Sequence, residues 1–496
     1  MDDTDLFTVA QVRAFDRAAI EARGIAGYTL MQRAAAFAWS RLRLRWPQAR
    51  RIVVICGSGN NGGDGYVLAR LARTEGLDAE VVALAEPRAG SDAARAYADW
   101  AAVGGATAPA DASIAPADVY VDAIFGTGLA RPPDGAARAW IERLDAARNG
   151  VLALDVPSGV DADSGDVPGV AVRATETASF VAHKRGLFTG AALEYRGALS
   201  LDALEIPAPV FDAARPDARS LSAQDVEKRL PQRSKNAHKG NFGHVLAVGG
   251  DHGFGGAIRL AGEAALRCGA GLVSIATRAE HVVALNAARP ELMAHGVEGA
   301  QELEGLLDRA SVVALGPGLG QRAWGHALWY AALASGKPSV IDADGLNLLA
   351  RDRPALPAHS VLTPHPGEAA RLLEVDAAAI ARDRYGAARA IAARNGAVCV
   401  LKGAGTLIAT PEGEVAVCPW GNPGMASGGM GDLLTGVIAA LLAQGLGAWD
   451  AACVGVALHA RAGDLAARAG QAGMIASDLF VPLQRLRNAV GADDAG

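Results

Sequence analysis

Gly421-Asn422-Pro423-Gly424-Met425-Ala426-Ser427-Gly428-Gly429-Met430-Gly431-Asp432 runs directly into Leu433-Leu434-Thr435-Gly436-Val437-Ile438-Ala439-Ala440-Leu441-Leu442. The first part is rich in glycine and almost uncharged, and the second is an apolar run of helical length. One acidic residue, Asp432, stands where loop becomes helix. A helix N-terminus presents N–H groups with no partner and the positive end of the helix dipole, so it attracts anions. Glycines let that backbone approach phosphate oxygens closely. A carboxylate at such a place repels phosphate, so it needs a reason. The best one is removal of a proton from a hydroxyl attacking phosphorus. The other reading is a glycine turn with Asp432 as helix N-cap.

Upstream, a series of apolar strands ends in polar, glycine-rich loops. His244–Val248 enters Gly249-Gly250-Asp251-His252-Gly253-Phe254-Gly255-Gly256-Ala257, with a helix following from Ile258. Ser311–Leu315 leads to Gly316-Pro317-Gly318-Leu319-Gly320, and Ser339–Asp342 to Ala343-Asp344-Gly345. Ser360–Leu362 leads to Thr363-Pro364-His365-Pro366-Gly367-Glu368, and Val398–Leu401 to Lys402-Gly403-Ala404-Gly405-Thr406. The carboxyl ends of strands in an open α/β sheet form its ligand crevice. Between two prolines, His365 is held rigidly toward that crevice. Lys402 with Gly403 and Gly405 reads as a small cationic phosphate loop, or else as a solvated lysine turn.

The N-terminal half repeats the logic with different motifs. Arg51–Cys56 is an apolar strand suited to the middle of a parallel sheet. It enters Gly57-Ser58-Gly59-Asn60-Asn61-Gly62-Gly63-Asp64-Gly65, with a helix expected from Tyr66. Paired amides there can offer carbonyls to a cation and N–H groups to a ligand. Val119–Asp122 ends in Ala123–Arg131, and Val151–Asp155 in Val156-Pro157-Ser158-Gly159. Asp122 and Asp155 are therefore expected near the Asn60–Asp64 loop, although either could be a turn-forming aspartate. Residues 8–45 read as two amphipathic helices. The sheet is expected to finish with Leu199–Leu201 and Leu204–Pro207, with a linker at Pro207–Asp217 and a capped helix start at Ser222.

The chain of 496 residues predicts two α/β domains, 1–212 and 213–496. A net charge of -6 gives no hint of nucleic acid. The acidic start Met1–Asp5 is not a signal peptide, and no apolar run of spanning length is free of glycine or charge. Five scattered cysteines read as buried thiols of a cytoplasmic protein.

As an ordered set these motifs resemble the NAD(P)H-hydrate repair enzymes, over roughly residues 8–210 and 220–487. The N-terminal part resembles the NAD(P)H-hydrate epimerase domain, which implies a Rossmann-like three-layer fold. The C-terminal part resembles the ribokinase-like ADP/ATP-dependent NAD(P)H-hydrate dehydratase. Leu30-Met31-Gln32-Arg33-Ala34-Ala35 departs from the Leu-Met-Glu-x-Ala-Gly often found in the family. The resemblance implies hydrated NADH or NADPH as substrate, epimerised by the first domain and dehydrated in its S form by the second. ADP would be consumed to AMP and phosphate, with magnesium on the nucleotide. It implies a potassium ion on Asn61, Asp122 and Ser158. It places substrate on Asn60, Asn61, Gly62, Gly63, Asp64, Gly126, Thr127, Gly128, Leu129, Ala130, Arg131 and Asp155. In the second domain it places substrate on Ala257, Gly318, His365 and Asp432, and ADP on Lys402, Gly403, Ala404, Gly405, Thr406 and Gly431. Asp432 and Asp155 are the expected catalytic groups, and a homo-oligomer is expected. A ribokinase-like kinase of a small hydroxylated metabolite and a dinucleotide sensor without turnover are the alternatives.

Overall fold

The computed structural model describes residues 2–129, 131–146 and 149–488. The chain divides into two compact units, Met1–Ala218 and Arg219–Gly496. The first opens with a short strand, β1 (Asp5–Leu6), and two helices, Val9–Glu21 and Gly27–Arg45. Its sheet comprises β2 (Arg51–Cys56), β3 (Asp78–Ala83), β4 (Thr107–Pro109), β5 (Val119–Ala123), β6 (Gly150–Leu154), β7 (Glu176–Phe180) and β8 (Ala198–Asp202). Their order is β4-β3-β2-β5-β6-β7-β8, and neighbours run parallel. Ile52 to Cys56 are fully buried, as a central strand covered on both faces requires. Each such side chain contributes roughly 1.5–3 kcal/mol of burial. The order reverses between β2 and β5, so the switch-point crevice lies beyond Cys56 and Ala123.

The second unit contains β9 (Ala218–Ser220), β10 (His244–Val248), β11 (Leu272–Thr277), β12 (Met293–Gly296), β13 (Val312–Leu315), β14 (Ser339–Ile341), β15 (Val361–Leu362), β16 (Val398–Leu401), β17 (Leu407–Ala409) and β18 (Val415–Val417). The order from β9 is β9-β18-β17-β16-β15-β14-β13-β10-β11-β12. Pairing is parallel from β12 to β16 and antiparallel through β17 and β18. Here the switch lies between β10 and β13. Helix Met430–Ala443 is buried on nearly every side, which explains the uninterrupted run Leu433–Leu442. It packs on helix Gly255–Arg267 so closely that a methyl group on Gly436 would collide with Ala261 O.

Three local expectations are corrected. The helix after β2 begins at Asn60, not Tyr66, with Gly59 as its N-cap. Glycine permits this: a methyl group on Gly62 would overlap Gly57 O. Leu204–Pro207 is not a strand, because Leu204 and Glu205 adopt positive φ (55° and 52°). The stretch Pro207–Asp217 is no free linker. Residues Ala208–Ala213 form a 3-10 helix, and Val210 and Phe211 enter the first unit's core, where Phe211 meets Phe15 edge-on at 5.2 Å. Ser222 caps helix Ala223–Arg229 as expected, its Oγ accepting from Asp225 N at 3.1 Å.

Candidate active sites

In the first unit the ends of β2, β5 and β6 open into a cavity of about 520 Å³. Asn60, Asn61, Asp64, Gly126, Thr127, Gly128 and Asp155 line it together. A methyl group on Gly126 would sit 3.1 Å from Asp155 Oδ2 and 3.4 Å from Asn61 Oδ1, which shows how closely the three loops converge. Gly62 and Gly63 do not reach the cavity, because they are buried against Gly57 and Met31. Leu129 is outside the lining, and so is Arg131, whose exposed side chain lies 3.6 Å from Asp134. Ala130 lies outside the described residues.

Asp155 follows β6 with φ of 66°, a conformation uncommon outside glycine and one that turns the chain sharply at the strand end. Its carboxylate pairs with Lys184, which is 1% exposed and was not legible as a site residue. The same ammonium donates to Phe180 O at 2.6 Å and Ser179 Oγ at 3.1 Å. Asp16 and Asp64 enter the same cavity. Burial pushes the Asp16 carboxyl up to about 6, with Lys184 opposing and Asp155 adding to the rise. Burial, then Asp155 and Asp16, pushes Asp64 well above the usual carboxylate range.

Asp122 is fully buried at the end of β5. It accepts Ser158 Oγ at 2.6 Å, Ser158 N at 2.8 Å and Ile124 N at 3.2 Å. Burial still lifts it to about 6 against those hydrogen bonds. The amide oxygen and nitrogen of Asn61 are both buried with no partner among the described residues. An orphaned buried amide is costly unless a ligand or ion meets it.

In the second unit a methyl group on Gly318 (φ 59°) would press on Phe254 and lie 3.4 Å from Ala257 Cβ, so Gly318 and Ala257 share one wall. His365 caps helix Pro366–Leu373. Its Nδ1 accepts Gly367 N at 3.0 Å and its own N–H donates to Glu368 Oε2 at 2.8 Å. Its ring is half-exposed, and burial followed by Lys402 and Arg371 lowers its pKa.

Lys402 is an anchored cation. Its Nζ lies 2.7 Å from Asp342 Oδ1 and 3.8 Å from Glu368 Oε2. Thr435 Oγ1 donates to Asp342 Oδ2 at 3.0 Å. Burial raises the Asp342 pKa, but Lys402 and the hydrogen bonds from Lys402, Thr363 and Thr435 outweigh it and hold the group low. Glu368 rises to about 7, mainly through burial. A methyl group on Gly431 would lie 3.2 Å from Lys402 Nζ, so the helix start bearing Asp432 abuts this cluster. Gly403 and Gly405 turn the following loop with φ of 131° and 60°, and Thr406 Oγ1 donates to Gly403 O at 2.9 Å.

Asp432 is not the N-cap. Gly429 is, and Asp432 sits in the first turn. The first closing bond runs from Leu433 N to Gly429 O at 3.0 Å, which leaves the N–H groups of Met430, Gly431 and Asp432 without intrahelical acceptors. The Asp432 carboxylate takes no hydrogen bond from any described residue. Burial, then Asp342, raises it to about 6 while Lys402 pulls the other way. Ser427 Oγ in the same glycine loop is buried without a partner among the described residues. Asp342 and Glu368 were legible only as strand-end residues, because their roles depend on a lysine far along the chain.

The family described as NAD(P)H-hydrate dehydratase matches residues 245–485, and that described as YjeF-related protein N-terminus matches residues 27–186. A bifunctional NAD(P)H-hydrate repair enzyme of Coxiella burnetii is 46% identical over 98% of this chain and 100% of its own. One from Escherichia coli is 43% identical over 96% and 93%. Among solved structures, the Bacillus subtilis ADP/ATP-dependent NAD(P)H-hydrate dehydratase co-crystallised with ATP/Mg2+ superposes with a TM-score of 0.50 at 29% identity, covering 54% of this chain and 98% of that one. A ribokinase-like superfamily protein of Enterococcus faecalis gives 0.52 at 31%, covering 55% and 96%.

Proposed function

Since the chain belongs to the family of bifunctional NAD(P)H-hydrate repair enzymes, we propose that residues 1–218 carry the epimerase and residues 219–496 the dehydratase. The substrate is NADH or NADPH that has gained water across a nicotinamide ring double bond. Epimerisation by the first unit feeds the S form to the second.

The dehydratase assignment rests chiefly on Asp432, a carboxylate raised to about 6 and unpartnered among the described residues, beside free amides at a helix start. Hydroxyl is a poor leaving group. Asp432 takes its proton as the oxygen attacks the terminal phosphorus of ADP, and AMP departs. The amides of Gly428 to Gly431 stabilise the charge on the transferred group. Phosphate then leaves the ring carbon, a neighbouring ring proton is lost and the double bond returns. Ala257, Gly318 and His365 hold the hydrated dinucleotide, and Lys402 to Thr406 with Gly431 hold the adenylate end. Among the described residues no group of three or more His, Cys, Asp or Glu is placed to hold a metal. Magnesium would accompany the nucleotide phosphates and neutralise part of their charge.

In the first unit Asp155, held by Lys184, is the proton-transfer group. The unpartnered Asn61 amide, Asp122 and Ser158 offer the hard oxygens that suit potassium, which would offset the acidic cluster and position the dinucleotide phosphates. Five buried free thiols fit a reducing cytoplasm. No described helix is long and apolar enough to cross a membrane.

A kinase of a small metabolite leaves the first unit's cavity unexplained, and a sensor needs no unpaired base. Mixed hydrated NADH epimers, incubated with and without ADP and magnesium and followed at the reduced-nicotinamide absorbance, test the reading. Complete recovery is expected only with nucleotide. Recovery that stops once the S form is spent refutes the epimerase, and recovery without nucleotide refutes the dehydratase.

A further inference from the structure

The geometry points to a second ligand site on the dehydratase unit: a cavity of about 540 Å³ built to take the phosphate group of a small metabolite. It lies where helices Gly255–Arg267 and Met430–Ala443 end, whereas Ala257 and Asp432 stand where they begin. At 1.5 Å per residue those ends are roughly 20 Å apart, so this is not the dehydratase crevice.

Three guanidinium groups from three separate segments line the cavity: Arg233, Arg267 and Arg487. Arg487 is 8% exposed, yet its partners are all neutral. Its Nε donates to Cys268 O at 3.3 Å, and its Nη2 to Pro231 O at 2.8 Å and Gln444 Oε1 at 2.9 Å. Arg233 gives one hydrogen bond, from Nη2 to Gly269 O at 2.7 Å, and stacks on Phe242. Arg267 Nη1 donates to Gln484 at 3.2 Å. Its Nη2 lies 3.6 Å from Glu263, one carboxylate shared with Arg289 and Arg259, so three guanidinium groups divide a single negative charge.

Capping of the helix end explains the bonds to Cys268 O and Gly269 O, and no more. Arg487 Nη1 and, on the exposed Arg233, Nε and Nη1 have no acceptor among the described residues and are open to a ligand from outside. Among the described residues the only acidic one on the lining is the exposed Glu227. Burying the Arg487 cation without a carboxylate partner is costly, and the partly buried Arg267 and the exposed Arg233 add positive charge beside it. An oxyanion resolves it, and several planar donors suit a phosphate. Leu230 and Leu266 add apolar wall beside the guanidinium groups, which leaves room for an organic part on the ligand.

The test is calorimetric titration of the full chain with inorganic phosphate against chloride at matched ionic strength. Saturable binding is expected, weakened about tenfold by Arg233→Gln and by Arg267→Gln. Neither change should alter ADP-dependent dehydration. Arg487→Gln is a poorer probe because that side chain also holds Pro231, Cys268 and Gln444. Absence of saturable binding overturns the proposal. So does binding that survives both substitutions, since it then comes from the dehydratase crevice. Binding that emerges only in Asp493→Asn/Asp494→Asn also overturns it, because the chain's own acidic end is then the occupant.

Discussion

Asp432→Asn should slow ADP-dependent dehydration and, at the same time, stabilise the unit that carries it. The substitution is nearly isosteric and breaks no hydrogen bond among the described residues, so packing is left intact. What it removes is an ionised carboxylate whose pKa is raised from the ordinary 3.8 to about 6 by burial and by Asp342. A folded-state value above the unfolded one means that ionisation opposes folding. Below 3.8 both states are protonated and there is no penalty. The penalty grows as pH rises and is complete above about 6. The rise corresponds to about 3 kcal/mol at neutral pH, less what solvent screens at a partly exposed side chain. Urea unfolding at pH 7 should therefore show a higher midpoint for the variant, and the gain should vanish toward pH 4. Loss of a positioned base removes about 10²–10⁴-fold in rate. In the unmodified protein kcat/KM for dehydration should climb with pH through about 6 and then level. A variant that turns over normally, or one less stable than the parent at pH 7, refutes the assignment.

Asp155→Asn should abolish exchange between R and S forms measured chromatographically without ADP, while ADP-dependent dehydration of the S form persists; unchanged exchange leaves Asp155 a binding role only. Asp122→Ala should weaken substrate binding in the first unit and erase any dependence of epimerisation on potassium over sodium, read from initial rates in the two salts. Gly436→Ala should destabilise the second unit by about 1–3 kcal/mol in urea unfolding, because its methyl group would collide with Ala261 O across two packed helices; a gain, as helix propensity alone would give, refutes that packing argument.

Features written locally in the chain were read correctly from it. Apolar runs such as Ile52–Cys56 and Val312–Leu315 became central strands because nothing but a buried parallel sheet accommodates them. Glycine motifs after β2, β5, β10 and β13 fell at the two switch points, where backbones approach too closely for a side chain; a methyl group on Gly57 would overlap Ile124 O, and one on Gly249 would overlap Pro317 O. The errors were also physical. Glycine is a poor helix former, so Asn60–Gly65 reads as loop, yet close packing under Gly57 favours a helix there. Leu204–Pro207 looked like a strand by composition, and its positive φ values carry no sequence signal in leucine and glutamate.

The lysine partners of Asp155 and Asp342 were not legible, since tertiary structure alone selects them. Lys184 lies 29 residues beyond Asp155, and Lys402 lies 60 beyond Asp342, neither in a spacing that any local element imposes. Yet these lysines decide the electrostatics of both sites. Each gives its hydrogen bond to one carboxylate, Asp155 or Asp342, and leaves a second buried carboxyl nearby without one. Asp64 in the first unit and Asp432 in the second are those second groups, and both are pushed up. A lysine already paired with one carboxylate offsets the rest of the cluster only in part, so burial and the neighbouring carboxylate raise Asp64 and Asp432. The two units use these lysines differently: in the second the proposed base is the raised carboxyl that Lys402 leaves unpaired, Asp432, whereas in the first it is Asp155, the carboxylate that Lys184 holds in place.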